Sequence, residues 1–451
     1  MLPHRFRWFL LLIASCFFYM FFKPVYILIL AFTIVIDYIA GIMLEDEQDE
    51  KRRKNYLIMS IVVNVGVLAV FKYYNFLNGN ITGLASLFGL KNNIPYLHWL
   101  LPIGLSFHTF QAMSYTIEVY WRNQKAERHF GIYALYVMFY PQLVAGPIER
   151  PQNIIHQFYE KREFNYDNAV HGLNLIFYGL FKKIVIADRL SLYVNHVYND
   201  IGNTSSASAW LACYFFAIQI YCDFSGYSDI ARGTAKFMGF ELMINFNRPF
   251  LSQSISEFWK RWHISLSGWF YDYVFNPLVA SLRSWRKWSI VFGLLITFFL
   301  SGLWHGASWN YVIWGLIYGV ALVYELFTKD IRRKVFGLMP QWLNTTLSRL
   351  ITFHYFVLAS VFFRAIDIPQ ALSMYHKLFE FHFKVSLSQL AAELGPVNLV
   401  MSFLVTGLLA LSYLLPADMK LKRNYLFLAT TIFLIIILGK NAVSEFIYFQ
   451  F

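Results

Sequence analysis

The chain has 451 residues, 58% hydrophobic, 20% aromatic and only 14% charged, with a mean hydropathy of +0.46. A soluble domain carries about 25% charged residues, so a fold surrounded by water is excluded. The net charge of +12 is scattered through short loops between apolar runs, the bias of cytoplasmic loops in membrane proteins; it forms no single basic stripe, which argues against a nucleic-acid partner.

In chain order, a basic start (His4, Arg5, Arg7) leads into the apolar run Trp8 to Phe22. Bulky aromatics stand where a cleaved signal would need small residues, so this segment is expected to stay as a membrane anchor. Continuous apolar segments follow at 25–44, 56–77, 97–120, 130–146, 169–187, 209–224, 288–304, 308–328, 349–364, 397–415 and 425–439. Runs of about 15–22 residues suit a helix that crosses a bilayer. The fold class expected is all-α and polytopic, with about 11–12 transmembrane or re-entrant helices.

Lys51 to Lys54, then Arg122, Lys125 and Arg128, mark two cytoplasmic loops. Arg283, Arg286 and Lys287, then Lys329, Arg332, Arg333 and Lys334, then Lys420, Lys422 and Arg423 mark three more, provided one segment between 130 and 224 is re-entrant. Residues 141–287 are irregular, with Pro141, Pro147, Pro151, Lys182, Lys183, Asp188 and Arg189 interrupting the apolar pattern. Non-helical backbone at membrane depth persists only where protein buries it or water lines it. This stretch is therefore expected to form interfacial and re-entrant helices around a central cavity or funnel, with 141–310 as the catalytic core. Cys16, Cys213 and Cys222 fit neither a disulfide nor a metal spacing. Gly315 and Gly319 read as a close-packing helix face.

Two histidines carry the chemistry. His305 sits in Ser301-Gly-Leu-Trp-His-Gly-Ala-Ser-Trp-Asn310 and His263 in Ser256-Glu-Phe-Trp-Lys-Arg-Trp-His-Ile-Ser265. Imidazole exchanges a proton at neutral pH without special tuning, and a polar ring at membrane depth is a functional candidate. His305 therefore reads as a general base for an attacking hydroxyl. His263, near Lys260 and Arg261, reads either as a second functional group or as part of a basic, Trp-rich interfacial anchor. Asp223 and Asp229, in Tyr221-Cys-Asp-Phe-Ser-Gly-Tyr-Ser-Asp229, are six residues apart and share no helix face at i,i+3 or i,i+4. They make no metal site by themselves, and ion pairing or capping is open to each. Arg248, in Asn245-Phe-Asn-Arg-Pro249, offers a guanidinium suited to phosphate. Walker, GxGxxG, GxSxG and HExxH patterns are absent from the sequence. On residues alone, a transporter or channel with a proton-relaying histidine stands as the alternative to an enzyme.

Taken together, Ser254 to Ser267 and Ser301 to Asn310 resemble the membrane-bound O-acyltransferase (MBOAT) family. Tyr221 to Asp229, Asn245 to Pro249, Leu143 to Pro151, Phe362 to Ala365 and the terminal Phe446 to Phe451 resemble its bacterial branch of alginate and peptidoglycan O-acetyltransferase membrane subunits. The resemblance spans nearly the whole chain and implies one integral-membrane domain, 1–451, in a bacterial inner membrane. It implies an O-acyltransferase that takes an acetyl or short acyl group from cytoplasmic acetyl-CoA, with no bound cofactor and no metal. It implies a periplasmic SGNH-type partner that passes the group to a polysaccharide such as peptidoglycan or alginate. His305 is then the catalytic histidine and His263 the second one. Trp304 is a candidate oxyanion donor; Lys260, Arg261 and Arg248 are candidates for the CoA phosphates; Tyr221, Asp223 and Asn310 are further substrate- or donor-binding candidates. Family members often begin with a further short apolar segment before the one that starts here near Trp8, so a different N-terminal topology is possible on this reading.

Overall fold

The computed structural model describes residues 3–98, 102–144, 146–380, 395–414, 424–440 and 446–447. Among them all regular structure is helical. Among the described residues eight helices are long and apolar enough to cross a membrane. Each of the twelve apolar segments overlaps a helix within its described residues; those starting at 8, 97, 130 and 425 overlap shorter ones, of 14, 16, 9 and 14 residues. Lys420, Lys422, Arg423 and the last four residues lie outside the described residues.

The chain divides into two compact units. The first takes residues 1–165 with 238–243. It contains α1 (Arg7–Met20), α2 (Ile27–Asp46), α3 (Glu50–Leu68), α4 (Tyr74–Leu87), α5 (Leu105–Tyr120), α6 (Phe130–Met138) and α7 (Pro151–Tyr159). Asp37 on α2 is fully buried and accepts from Ser60 Oγ at 2.6 Å and from Asn64 Nδ2 at 2.8 Å, both on α3. Ser60 Oγ also lies 3.0 Å from Thr116 Oγ1 on α5. In hydrocarbon such side chains must satisfy one another, so this cluster fixes how three helices face. Arg53 closes the α2–α3 turn by donating to the carbonyls of Leu44 and Tyr120. The segment expected to span 130–146 is helical only to Met138, and the chain then turns through 139–144.

The second unit takes 166–237 and 244–451. It begins with a continuous 34-residue helical stretch, Tyr166–Asn199. This comprises α8 (Tyr166–Leu180), a π-helical passage (Phe181–Ala187) and α9 (Asp188–Asn199). After a turn comes α10 (Ser206–Phe237), 32 residues long. Both stretches are long and apolar enough to span, which corrects the expectation that 141–287 is interfacial and re-entrant throughout. The charges that broke the apolar pattern are paired inside the protein. Lys182 Nζ lies 2.7 Å from Asp229 and 2.9 Å from Ser225 Oγ. Lys183 Nζ lies 2.7 Å from Asp223 and 2.9 Å from Asp188. The π-helical passage carries both lysines, and α10 supplies Asp223, Ser225 and Asp229.

Four glycines allow α8 and α10 to come close enough for these pairs. Gly172 faces Gly233 and Gly179 faces Gly226, seven residues apart on each helix. A Cβ at Gly226 would lie 2.8 Å from the Gly179 carbonyl, and one at Gly233 would lie 2.6 Å from that of Gly172.

Beyond α10, the chain forms three short helices, α11 (Ile255–Trp259), α12 (Ile264–Phe270) and α13 (Asn276–Ser281). Then come α14 (Lys287–His305), α15 (Trp309–Gly337), α16 (Gln341–Arg364), α17 (Ile368–Phe379), α18 (Pro396–Leu414) and α19 (Tyr425–Leu438). Helices α14 and α15 are antiparallel and touch through glycine: added Cβ atoms at Gly302 and Gly315 would strike the carbonyls of Tyr311 and Phe298.

Gly226→Ala is expected to push α8 from α10 and lower the thermal midpoint in detergent by several degrees. Gly66→Ala, where a Cβ meets nothing within 4 Å, should leave it unchanged or slightly raised. Fluorescence-detected size-exclusion melting of both variants checks this; equal midpoints would contradict the close-packing account.

Candidate active site

The site is built from the middle of the second unit upward. Ser254 caps α11, its Oγ accepting from the Glu257 N–H at 3.0 Å, and the chain then turns back at His263. His263 has φ 44°, ψ 54°, the left-handed region that costs an ordinary residue about 1–2 kcal/mol. Asn245 holds this turn in place. Its backbone carbonyl accepts from the Ile264 N–H at 2.9 Å. Its side-chain Oδ1 accepts from the Ser265 N–H at 3.2 Å and from Ser265 Oγ at 2.9 Å. Its Nδ2 lies 3.2 Å from Ser228 Oγ on α10.

That arrangement settles the tautomer of His263. The Ser265 backbone N–H can only donate, so the Asn245 atom facing it is the oxygen. The same oxygen lies 3.2 Å from His263 Nδ1. Nδ1 therefore carries the proton and donates, and the ring's lone pair sits on Nε2. His263 is fully buried, and burial pushes its pKa down to about 3, so the ring is neutral near pH 7.

His305 is the last residue of α14. There the unpaired carbonyl end of the helix favours a positive charge, by about 0.3–1 kcal/mol at an exposed end and more when partly buried. The Trp304 indole neighbours both imidazoles, its centroid 5.8 Å from the ring of His263 and 4.9 Å from that of His305. Trp314 on α15 and Phe363 on α16 complete the wall around His305 at 4.8 and 5.2 Å, edge to face. Phe224 meets the His263 ring at 4.6 Å. His263 is 0% exposed and His305 4%. Among the described residues, aromatic rings therefore pack closely around both imidazoles.

The remaining candidates separate. Asn310 is the second residue of α15 and donates from Nδ2 to the Ala365 carbonyl at 2.8 Å, tying α15 to the end of α16. Tyr221 packs in the aromatic cluster under the His263 turn, 5.0 Å from Phe250 and 6.2 Å from Trp262. Asp223 is held by Lys183 and accepts from the Ile447 N–H at 2.9 Å, which makes it part of the scaffold. Arg261 pairs with Glu257 at 2.8 Å and donates to the Asn247 carbonyl at 3.3 Å. Lys260 is exposed at the end of α11. Arg248 has φ 46° and precedes the turn Pro249–Leu251.

Sequence reasoning did not single out Asn245, Trp314 and Phe363 as contributors to the histidine surroundings. Asn245 is 18 residues from His263, beyond any helical or strand spacing, and Phe363 meets His305 only through tertiary packing.

The neutral, buried state of His263 has a sign in stability. The unfolded chain binds its proton near pH 6.5 and the folded one only near 3, so unfolding takes up a proton between those values. The stabilisation is complete above about pH 6.5 and is lost as pH falls toward 3. His263→Gln should flatten the acid side of the thermal midpoint against pH; an unchanged slope between pH 6.5 and 4.5 would contradict the burial of a neutral ring.

Comparison with known proteins bears on this geometry. The sequence profile of the MBOAT, membrane-bound O-acyltransferase family, matches residues 122–366, which include both histidines. The chain is 37% identical over 424 residues to the probable alginate O-acetylase of Pseudomonas aeruginosa, covering 93% of this chain and 78% of that protein. It is 35% identical over 394 residues to the peptidoglycan O-acetyltransferase of Helicobacter pylori, covering 81% and 72%. The teichoic acid D-alanyltransferase of Bacillus subtilis is 30% identical over 263 residues, covering 56% and 66%. With an all-helical membrane fold, paired histidines inside the matched region and relatives of this extent, the chain belongs to the membrane-bound O-acyltransferase family and is an acyltransferase.

Proposed function

We propose that this protein moves an acetyl group from cytoplasmic acetyl-CoA across a bacterial inner membrane for O-acetylation of a polysaccharide outside it. The observation that carries the reading is the pair of buried imidazoles that both contact Trp304. Relatives named for alginate and peptidoglycan O-acetylation support the polysaccharide as acceptor class. A periplasmic SGNH-type partner, whose serine receives the acetyl group before the glycan does, completes the proposal.

In this reading His305 takes the proton from the attacking hydroxyl. The oxygen bonds to the thioester carbonyl carbon, and the charge that develops on the carbonyl oxygen is met by an N–H donor, for which the Trp304 indole is the candidate. The C–S bond then breaks, and the sulfur leaves as the CoA thiol with the proton that the imidazolium returns. General base catalysis of this kind contributes about 10²- to 10⁴-fold, and one oxyanion donor about 10²-fold or more. The end of α14 stabilises the transient imidazolium. His263, with its lone pair on Nε2, presents an acceptor beside Trp304 and orients the reacting groups. Lys260, Arg261 and Arg248 are the proposed CoA-phosphate contacts, which requires Arg261 to leave Glu257 or to bridge it.

Purified protein incubated with acetyl-CoA, the periplasmic partner as hydroxyl acceptor and a thiol reagent should release CoA. His305→Ala should reduce that release by about 10²-fold or more while the protein stays folded and membrane-inserted; full release in the mutant would refute the assignment. A transporter or a passive scaffold gives no histidine-dependent release.

Asn245→Leu removes the partner that fixes the His263 tautomer. It should lower kcat by about tenfold or more with little change in KM for acetyl-CoA. Asn245→Asp, which keeps the acceptor, should retain more of the rate. Equal kcat in all three proteins would show that the tautomer is irrelevant.

A further inference from the structure

The first turns of α14, at the opposite end from His305, carry a groove that the transfer chemistry does not use. Trp285, Trp288, Val291, Phe292 and Leu295 line it, around about 420 Å³. We infer that this groove binds an anionic phospholipid, with an acyl chain along its apolar floor and the phosphate on Arg283, Arg286 and Lys287.

The floor follows from helical spacing. Trp288, Val291, Phe292 and Leu295 stand at i, i+3, i+4 and i+7, on one face of α14. Seven steps of 1.5 Å make that floor about 10 Å long. Trp285, in the short turn Arg283–Trp285, folds back along it, with its ring 5.9 Å from that of Phe292. Arg286, at φ 52°, reverses the chain between that turn and α14. Trp288 meets Phe327 of α15 at 6.1 Å, so the groove borders the end of α15.

Charge identifies the occupant. Arg283, Arg286 and Lys287 flank the two tryptophans in the chain and are exposed. None of their side chains has a carboxylate or hydrogen-bond partner among the described residues. The start of α14 has no side-chain cap, so its first N–H groups add to the positive potential. Lys329, Arg332, Arg333 and Lys334 follow Phe327 closely, and this gathering of basic residues marks the cytoplasmic side. The leaflet on that side is rich in anionic lipid, and basic pockets beside membrane helices hold such head groups. Trp285 and Trp288 are 52% and 65% exposed, as indoles at the level of the head groups are. Acyl-CoA suits the groove less well, because its amide-bearing arm would lie on a floor without polar side chains. Leu295 is also ten residues, about 15 Å of helix, from His305.

The test is native mass spectrometry of the full-length protein released from detergent micelles, titrated with phosphatidylglycerol or phosphatidylcholine of the same acyl chains. The wild type should bind phosphatidylglycerol about tenfold or more tighter. Combined Arg283→Gln, Arg286→Gln and Lys287→Gln should abolish that preference. Combined Lys51→Gln, Arg52→Gln and Lys54→Gln, which remove the same charge from another cytoplasmic loop, should preserve it. Trp288→Ala with Phe292→Ala, both at exposed positions, should weaken binding of either lipid. Equal affinities in the wild type would overturn the inference. So would a preference that survives loss of the three groove cations, or one that falls equally in the Lys51, Arg52 and Lys54 variant. Displacement of the lipid by free CoA would instead assign the cations to the donor and likewise overturn it.

Discussion

The account depends on one hydrogen bond, from His263 Nδ1–H to Asn245 Oδ1. A neutral imidazole that is fully buried must have its N–H satisfied, because an unpaired donor in a low-dielectric interior costs about 1–3 kcal/mol. Asn245 meets that need and, through Ser265 and the Ile264 N–H, also holds the backbone in its left-handed turn. The strain at His263 is therefore maintained by its surroundings, the usual condition for an unfavourable φ at a working site. The same bond directs the ring's basic nitrogen, so local geometry and chemistry have one cause.

Around this point the second unit is arranged in successive supports. Glycine pairs bring α8 and α10 together, and that approach lets Lys182 and Lys183 meet Asp229 and Asp223. Buried ion pairs are weak evidence for stability but are strongly disrupted when one member is lost. They fix the register of α10, whose Ser228 lies against Asn245 Nδ2 and whose Phe224 packs on the His263 ring. Closely packed α14 and α15 then set Trp304, His305 and Trp314 in one cage.

Much of this was legible in the sequence. The twelve apolar runs marked helices because each is continuous, and the two histidine motifs marked the site because polar residues interrupt apolar segments there. Within 166–237 the two apolar spans were legible, but Lys182, Lys183, Asp188 and Arg189 look like breaks when read singly, and the partners of the two lysines appear only between helices. Asn245 was visible as a motif member but not as a partner, for its 18-residue separation from His263 leaves no periodic trace. The burial of the two rings was equally hidden, because the aromatic residues of α10, α15 and α16 that pack on them come from distant parts of the sequence.

The proposed function requires that chemistry at His305 join a donor on one side of the membrane to an acceptor on the other. The most direct test is to reconstitute the protein in liposomes, supply isotope-labelled acetyl-CoA to the cytoplasmic face alone, and enclose the partner protein with a glycan acceptor at the opposite face. Label should appear on the enclosed acceptor with the wild type and be lost with His305→Ala. Label confined to the donor compartment, or crossing equally well without His305, would contradict the account.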